Sequence, residues 1–244
     1  MPRRSSGYPR GVWFETDPGN YRPGRSSGVT GSISHIVLHT CEGGAESCLN
    51  SLTRNRDGEH AHSAHYLVTK EGNTLQLVDE LDTAWHAGAP ASAYAGFRPG
   101  DLVNGVEVQR PMPNYNPNSI GIEIEGFSDD PATWTPELVA ELGHLVGYLS
   151  EKYSIPLVYR DQNTFSRGSE PALAVGARPS GIVSHGTLDP ARRYDPGPHF
   201  PWEAVQAAAK QYPTRQVLGS SAAPAFKQFA VWTLAALAVL AVVR

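Results

Sequence analysis

The chain has 244 residues, and because 40% of them are hydrophobic it has enough apolar material for a folded core, which excludes a wholly disordered protein. Its 24 acidic and 20 basic residues give a formal net charge of −4, which argues against the basic surplus of a nucleic-acid-binding protein. Two cysteines, Cys41 and Cys48, are too few for a disulfide framework. They either close one small loop or remain free thiols, and we favour free thiols.

The two ends of the chain differ in composition from its middle. Residues 1–29 are rich in Gly, Pro, Ser and Arg, which predicts an extended lead-in, and no apolar run follows the basic start, so no secretory signal is expected. Residues 213–225 are predicted to be a linker to the apolar segment 226–244. Because Lys227 and Arg244 can snorkel, we expect this C-terminal hydrophobic helix to be a transmembrane tail, with a docked amphipathic helix as the alternative.

Strand and helix patterns alternate over residues 30–212, the predicted catalytic domain. In chain order they predict a buried strand at 33–39, a helix at 44–56, a hairpin of strands 65–70 and 74–79, an alternating strand at 119–125, a helix from Pro136 with Thr135 as N-cap, a buried strand at 181–185, and a helix at 202–212. Together these elements predict an α/β fold with a single mixed central β-sheet flanked by helices.

Two histidines and an aspartate lie at or shortly after the ends of predicted strands. His39 ends the first buried strand, His185 ends the last, and Asp195 follows ten residues later in a loop rich in Pro and Gly. Two imidazoles and one carboxylate suit a tetrahedral zinc site whose fourth position is open to water. Each residue has a structural alternative, and Asp195 before Pro196 is also an ordinary turn residue.

Glu123 lies in the middle of the 119–125 strand, on the face opposite its isoleucines. A glutamate buried there costs free energy unless it is paired or used in catalysis. Two roles are therefore open: a general base that takes a proton from metal-bound water, and an ion pair with Arg193. Glu125 shares the same face, and the pattern does not separate the two acids.

Five segments of the chain carry a family resemblance: IVLHTCEGG, SAHYLVTKEG, AWHAG, SIGIEIEG and SHGTLDPARRYDPGPHF. In this order they resemble the zinc-dependent type-2 N-acetylmuramoyl-L-alanine amidases, a family that includes phage amidase endolysins, cytoplasmic anhydro-muropeptide amidases and peptidoglycan recognition proteins. The resemblance covers about residues 20–205. It implies the family's α/β fold and hydrolysis of the amide between N-acetylmuramic acid and L-alanine in peptidoglycan.

The resemblance also implies roles for individual residues. His39, His185 and Asp195 would bind Zn²⁺. Glu123 would handle the proton, and Arg193 would stabilise the oxyanion as the second catalytic group. Four further positions are implied to line the groove that binds glycan and stem peptide: His65, Trp85, His86 and Asn118.

Two positions depart from the family pattern. Arg193 stands where cytoplasmic members usually carry Lys, and arginine keeps the charge without readily donating a proton. Ala64 stands where phage members place Tyr before the histidine, which shifts the catalytic burden onto Glu123. These departures leave open a non-catalytic peptidoglycan-recognition module, and a zinc peptidase is a further alternative. The retained Asp195 favours catalysis.

These observations together predict a biological setting. We expect a monomeric phage or prophage endolysin that acts on host peptidoglycan and has no nucleic-acid partner. Its apolar tail implies that it is cytoplasmic or membrane-associated in the host before lysis and then reaches the cell wall. A bacterial wall-recycling amidase is the alternative.

Overall fold

The computed structural model describes the chain in segments up to Tyr212, and these belong to one compact unit. The described residues are 5–25, 33–54, 61–88, 96, 98, 100–103, 106–107, 114–159, 180–189 and 192–212. The predicted linker 213–225 and tail 226–244 lie outside them, so the C-terminal helix stays a prediction. Within the described segments, no helix is both long and apolar enough to cross a membrane.

A six-stranded mixed sheet forms the centre of the fold. The described strands are β1 (Gly11–Trp13), β2 (Tyr21–Arg22), β3 (His35–Thr40), β4 (Tyr66–Val68), β5 (Thr74–Gln76), β6 (Thr83–Ala84), β7 (Leu102–Val103), β8 (Val106–Glu107), β9 (Ser119–Ile124) and β10 (Gly181–Ser184). The main sheet has the order β1-β5-β4-β9-β3-β10 and is parallel except for the β4–β5 hairpin. The predicted mixed central sheet and hairpin are therefore confirmed, and two small ladders, β2–β6 and β7–β8, lie outside the main sheet.

Four α-helices accompany these strands in the described segments: α1 (Ala45–Thr53), α2 (Pro136–Tyr153), α3 (His185–Leu188) and α4 (Trp202–Lys210). The start of α2 is where the sequence predicts it, because the Thr135 hydroxyl accepts a hydrogen bond from the Leu138 N–H at 3.2 Å. The apolar face of α2 packs with α4 on one side of the sheet, and α1 packs on the other side.

Strand alternation places the side chains of each strand alternately on the two faces of the sheet. The three isoleucines of β9 are fully buried among the leucines of α2. The intervening positions of β9 therefore point to the opposite face, as do the odd-numbered positions of β3. Because β3 and β9 are parallel, with His39 opposite Glu123 in the register, both side chains lie on that face near the carboxyl edge of the sheet.

Two segments differ from simple sequence expectations. The predicted free thiols are wrong: Cys41 and Cys48 form a disulfide, with a Cα–Cα distance of 5.7 Å, because α1 packs against the loop that follows β3. The lead-in is also built into the unit, since β1 pairs with β5 and β2 pairs with β6. Short strands of two or three residues carry too little periodicity to be recognised from sequence.

Candidate metal centre

Three side chains predicted to bind a metal converge at the carboxyl edge of the sheet. The Nδ1 atoms of His39 and His185 are 2.9 Å apart. The Oδ2 atom of Asp195 lies 3.4 Å from Nδ1 of His39 and 3.3 Å from Nδ1 of His185. A tetrahedral ion with bonds of about 2.0–2.1 Å holds its ligands roughly 3.3 Å apart, so this triangle has the dimensions of one face of a zinc coordination sphere. The donor set and its geometry therefore fit a metal ion.

Each of the three ligand candidates is held by an ordered element. His39 is the penultimate residue of β3, and His185 opens α3 directly after β10, where Ser184 caps the helix by accepting from the Thr187 N–H. The loop that carries Asp195 is attached to α3, because the Gly186 N–H donates to the Asp195 carbonyl at 2.9 Å. Strand ends and helix starts are rigid enough to keep the donors within metal-binding distance.

The electrostatics of the three residues favour the protonation states that a metal needs. Burial alone would raise the pKa of Asp195, but interactions with the neighbouring His185 and His39 hold it well below its ordinary value. Burial lowers the pKa of His185, and the neighbouring His39 lowers it further. Asp195 is therefore ionised and His185 is neutral near pH 7, which are the metal-ligating forms.

Glu123 lies on the wall of the same site. Its Oε2 atom is buried and has no hydrogen-bond partner among the described residues, which also provide no ion pair with Arg193. Burial raises the pKa of Glu123 to about 7; repulsion from Asp195 adds to this, while attraction to His39 opposes it. Glu125 has a structural contact instead, because its Oε2 accepts from the Lys70 N–H at 2.8 Å. The geometry therefore favours Glu123 over Glu125 as a general base.

A cavity of about 970 Å³ opens over the three ligand candidates. Arg193 is exposed on its wall, where its charge lowers the pKa of Glu123. Trp85, which is partly exposed, and His86 are two of the predicted groove residues, and both line the cavity. The cavity is large enough for an extended substrate, and beside the metal-binding triangle it is lined by Glu123, whose Oε2 has no hydrogen-bond partner in the described segments.

The structure places the other two predicted groove residues away from the cavity wall. His65 is fully buried, its Nδ1 accepts from the Gly121 N–H at 3.0 Å, and its Nε2 lies 2.9 Å from a nitrogen of Arg25. Asn118 is absent from the lining, and its backbone carbonyl accepts from the Ser34 N–H. The geometry therefore does not favour substrate contacts for either residue.

Asn116 is a cavity residue that the sequence reasoning missed. Its Oδ1 accepts hydrogen bonds from the backbone N–H groups of His86 and Ala87, at 3.1 Å and 2.6 Å, and so fixes the segment that carries Trp85 and His86. The segment NYNPNS contains three asparagines, and nothing local in it distinguishes the one that points inward. Only the 3-10 turn Asn116–Asn118 decides this.

Comparisons with known proteins identify similar chains. The family model described as N-acetylmuramoyl-L-alanine amidase matches residues 29–198. The chain is 26% identical to N-acetylmuramoyl-L-alanine amidase A of Achromobacter lyticus, over 78% of this chain and 88% of that protein. It is 28% identical to the 1,6-anhydro-N-acetylmuramyl-L-alanine amidase AmpD of Haemophilus influenzae, over 61% of this chain and 59% of that protein, so it spans about three fifths of that relative.

A solved structure extends the comparison to the fold. The crystal structure of a selenomethionine AmpD derivative superposes with a TM-score of 0.54 and 23% sequence identity, covering 82% of this chain and 94% of that one. The two chains therefore share their α/β architecture.

Proposed function

The chain belongs to the N-acetylmuramoyl-L-alanine amidase family, as its five motifs predict, and is therefore an amidase; we propose that it is zinc-dependent and hydrolyses the bond between N-acetylmuramic acid and L-alanine in peptidoglycan. The observation that carries the proposal is the triangle of His39, His185 and Asp195, whose donor atoms are 2.9–3.4 Å apart. Its two imidazoles and one carboxylate form a donor set that suits zinc with an open coordination position.

The residues around the triangle supply the rest of the chemistry. When bound, zinc in such a site polarises a carbonyl oxygen and lowers the pKa of water. Glu123 accepts a proton from the attacking water at its buried Oε2, and it returns this proton to the departing amine of L-alanine. A pKa near 7 suits both steps, because the carboxylate then gains and loses a proton at little cost.

Arg193 acts on charge rather than on protons. It is exposed on the cavity wall and bonded to no carboxylate among the described residues, so its guanidinium is available to the negative charge that develops on the amide oxygen. Because a guanidinium does not readily lose a proton, the replacement of the usual Lys leaves Glu123 as the proton carrier.

The amidase reaction is tested by its products. Purified full-length protein with zinc should release stem peptides with a free N-terminal L-alanine from cell-wall peptidoglycan, as identified by mass spectrometry. Chelation should abolish the release, and added zinc should restore it. Activity that survives complete removal of metal would contradict the proposal. Cleavage inside the stem peptide would indicate a zinc peptidase, and binding without cleavage a recognition module.

We further propose that the enzyme is a phage or prophage endolysin and associates with the host membrane through residues 226–244. The uncharged run Phe229–Val243 supports this role. A wall-recycling amidase is the second candidate, because relatives 28% identical to this chain are named 1,6-anhydro-N-acetylmuramyl-L-alanine amidases. Faster cleavage of intact wall than of soluble anhydro-muropeptides would favour the endolysin. Full-length protein that stays in the soluble fraction, like a variant without residues 226–244, would contradict the membrane role.

A further inference from the structure

His86 forms a bridge between a metal-ligand candidate and the protein backbone. Its Nδ1 lies 3.1 Å from Nε2 of His39, and its Nε2 lies 3.2 Å from Oγ of Ser119. The Ser119 hydroxyl is in turn 2.7 Å from the carbonyl oxygen of Tyr115. The side chains of His39, His86 and Ser119 are buried. The chain of contacts therefore runs without interruption from the backbone to the metal site.

The direction of each hydrogen bond in this series follows from the carbonyl group of Tyr115, with which the series ends. A carbonyl oxygen only accepts, so the single hydroxyl hydrogen of Ser119 is donated to Tyr115. The Ser119 oxygen then accepts from Nε2–H of His86, which leaves Nδ1 of a neutral His86 without hydrogen. That atom accepts from Nε2–H of His39.

These bonds settle which nitrogen of His39 has a free lone pair. With its hydrogen on Nε2, the free lone pair is on Nδ1, the atom that faces His185 and Asp195. We infer that His86 is a positioning residue that, through Ser119, fixes the tautomer and ring orientation of His39 for metal binding. This inference rests on the zinc site of the proposed function. Groups that hold a metal-ligating histidine in this way typically strengthen metal binding 10–100-fold.

Gly121 provides the space that this arrangement needs. It lies in the interior of β9, where glycine usually weakens a strand, so a close approach by another group is the usual reason for its presence. A Cβ atom at Gly121 would lie 2.4 Å from Cγ of His86, well inside van der Waals contact. The imidazole of His86 therefore packs directly on the backbone of β9 at Gly121.

The same contacts argue against His86 as a direct substrate contact. His86 is only 9% exposed, and both of its ring nitrogens already have partners inside the protein. The backbone is fixed as well, because the His86 N–H donates to Asn116. A substrate group would have to break one of these bonds to reach the ring.

The test measures zinc affinity, which does not depend on substrate. Full-length His86→Phe keeps an aromatic ring but removes both nitrogens, whereas His86→Asn can place an acceptor oxygen where Nδ1 lies. The control is His144→Phe, because His144 lies on α2, on the other side of the sheet, beside Arg10. Zinc dissociation constants are obtained by competition with a chromophoric chelator, and the visible spectrum of the cobalt-substituted protein reports ligand geometry.

We expect a 10–100-fold higher zinc dissociation constant and an altered cobalt spectrum for His86→Phe, and values close to those of the wild type for His86→Asn and His144→Phe. Thermal melting of the metal-free proteins shows whether each variant folds. If folded His86→Phe binds zinc like the wild type, the inference is overturned.

A second variant covers the case in which His86→Phe does not fold. Ser119→Ala removes one oxygen atom, deprives His86 of its acceptor, and should weaken zinc binding several-fold; wild-type affinity in Ser119→Ala would overturn the inference. Failure of the wild-type protein itself to bind zinc is a different result, since it would reject the metal site of the proposed function and with it the role of His86.

Discussion

Replacement of Glu123 by Gln separates the catalytic role of this residue from its effect on stability. Glutamine has the same shape but neither accepts the proton nor carries charge. Because Oε2 of Glu123 has no hydrogen-bond partner among the described residues, the substitution breaks no hydrogen bond of this atom there. We expect amidase activity to fall about 10²–10⁴-fold, as is typical for the loss of a general base, while zinc affinity stays near that of the wild type.

The same substitution should stabilise the metal-free protein at high pH. Burial raises the pKa of Glu123 from 4.5 to about 7, so the folded state holds this proton more tightly than the unfolded state. The resulting stability is complete below pH 4.5 and is lost as the pH rises through 7. At 1.36 kcal/mol per tenfold change in proton affinity, ionisation of the folded protein costs up to about 3 kcal/mol, an upper limit because the side chain is partly open to the cavity.

Thermal unfolding with a chelator present measures this difference. For a folded unit of this size, 1 kcal/mol corresponds to about 2–4 °C, so Glu123→Gln should melt up to roughly 6–12 °C above the wild type at pH 8 and close to it at pH 4.5. Glu125→Gln is the matched control, and it should keep activity because an amide oxygen can still accept from the Lys70 N–H. A Glu123→Gln variant that is less stable than the wild type at pH 8 would show that Glu123 is paired in solution, and the reasoning would be wrong.

Three further predictions concern the metal and its surroundings. Zinc at 100 times its dissociation constant should stabilise the wild type by about 2.7 kcal/mol, and Asp195→Ala should lose most of this in calorimetry; equal stabilisation of both proteins would place the metal elsewhere. Zinc affinity should persist somewhat below pH 6.5, because burial lowers the pKa of His185, and it should then fall as the ligands are protonated. Competition titrations from pH 5 to 8 measure this, and an affinity that did not change with pH would contradict it. Gly121→Ala should cost about 1–3 kcal/mol in urea unfolding and weaken zinc binding, since its methyl group meets the ring of His86; a fully stable variant with wild-type zinc affinity would show that the ring can move aside.

The centre of the fold was predictable because its signals are local. The apolar runs and the alternation in 33–39, 119–125 and 181–185 correspond to β3, β9 and β10. The N-cap of α2 was equally predictable, since Thr135 and Pro136 act within the first turn of the helix. Strands of two or three residues, such as β1 and β6, escaped prediction because they form only where a partner strand is available.

The candidate site was predictable in its members more than in their roles. The three ligand candidates were chosen for their chemistry and their places at or after strand ends, and the structure brings them together. The disulfide between Cys41 and Cys48 was missed, because a spacing of seven residues does not show that α1 packs against the loop after β3. His65 and Asn118 matched groove positions by motif, but neither lines the cavity, and His65 is fully buried.

The amino-acid sequence alone determined the fold class, the family and the kinds of side chain available for chemistry, because strand periodicity, helix capping and motif order are properties of neighbouring residues. Only the tertiary structure decided how those side chains act. The parallel register sets His39 beside Glu123, and the packing of His86 on Gly121 connects His39 to the backbone. Such relations depend on distances between residues far apart in the chain, and these distances exist only once the sheet has formed.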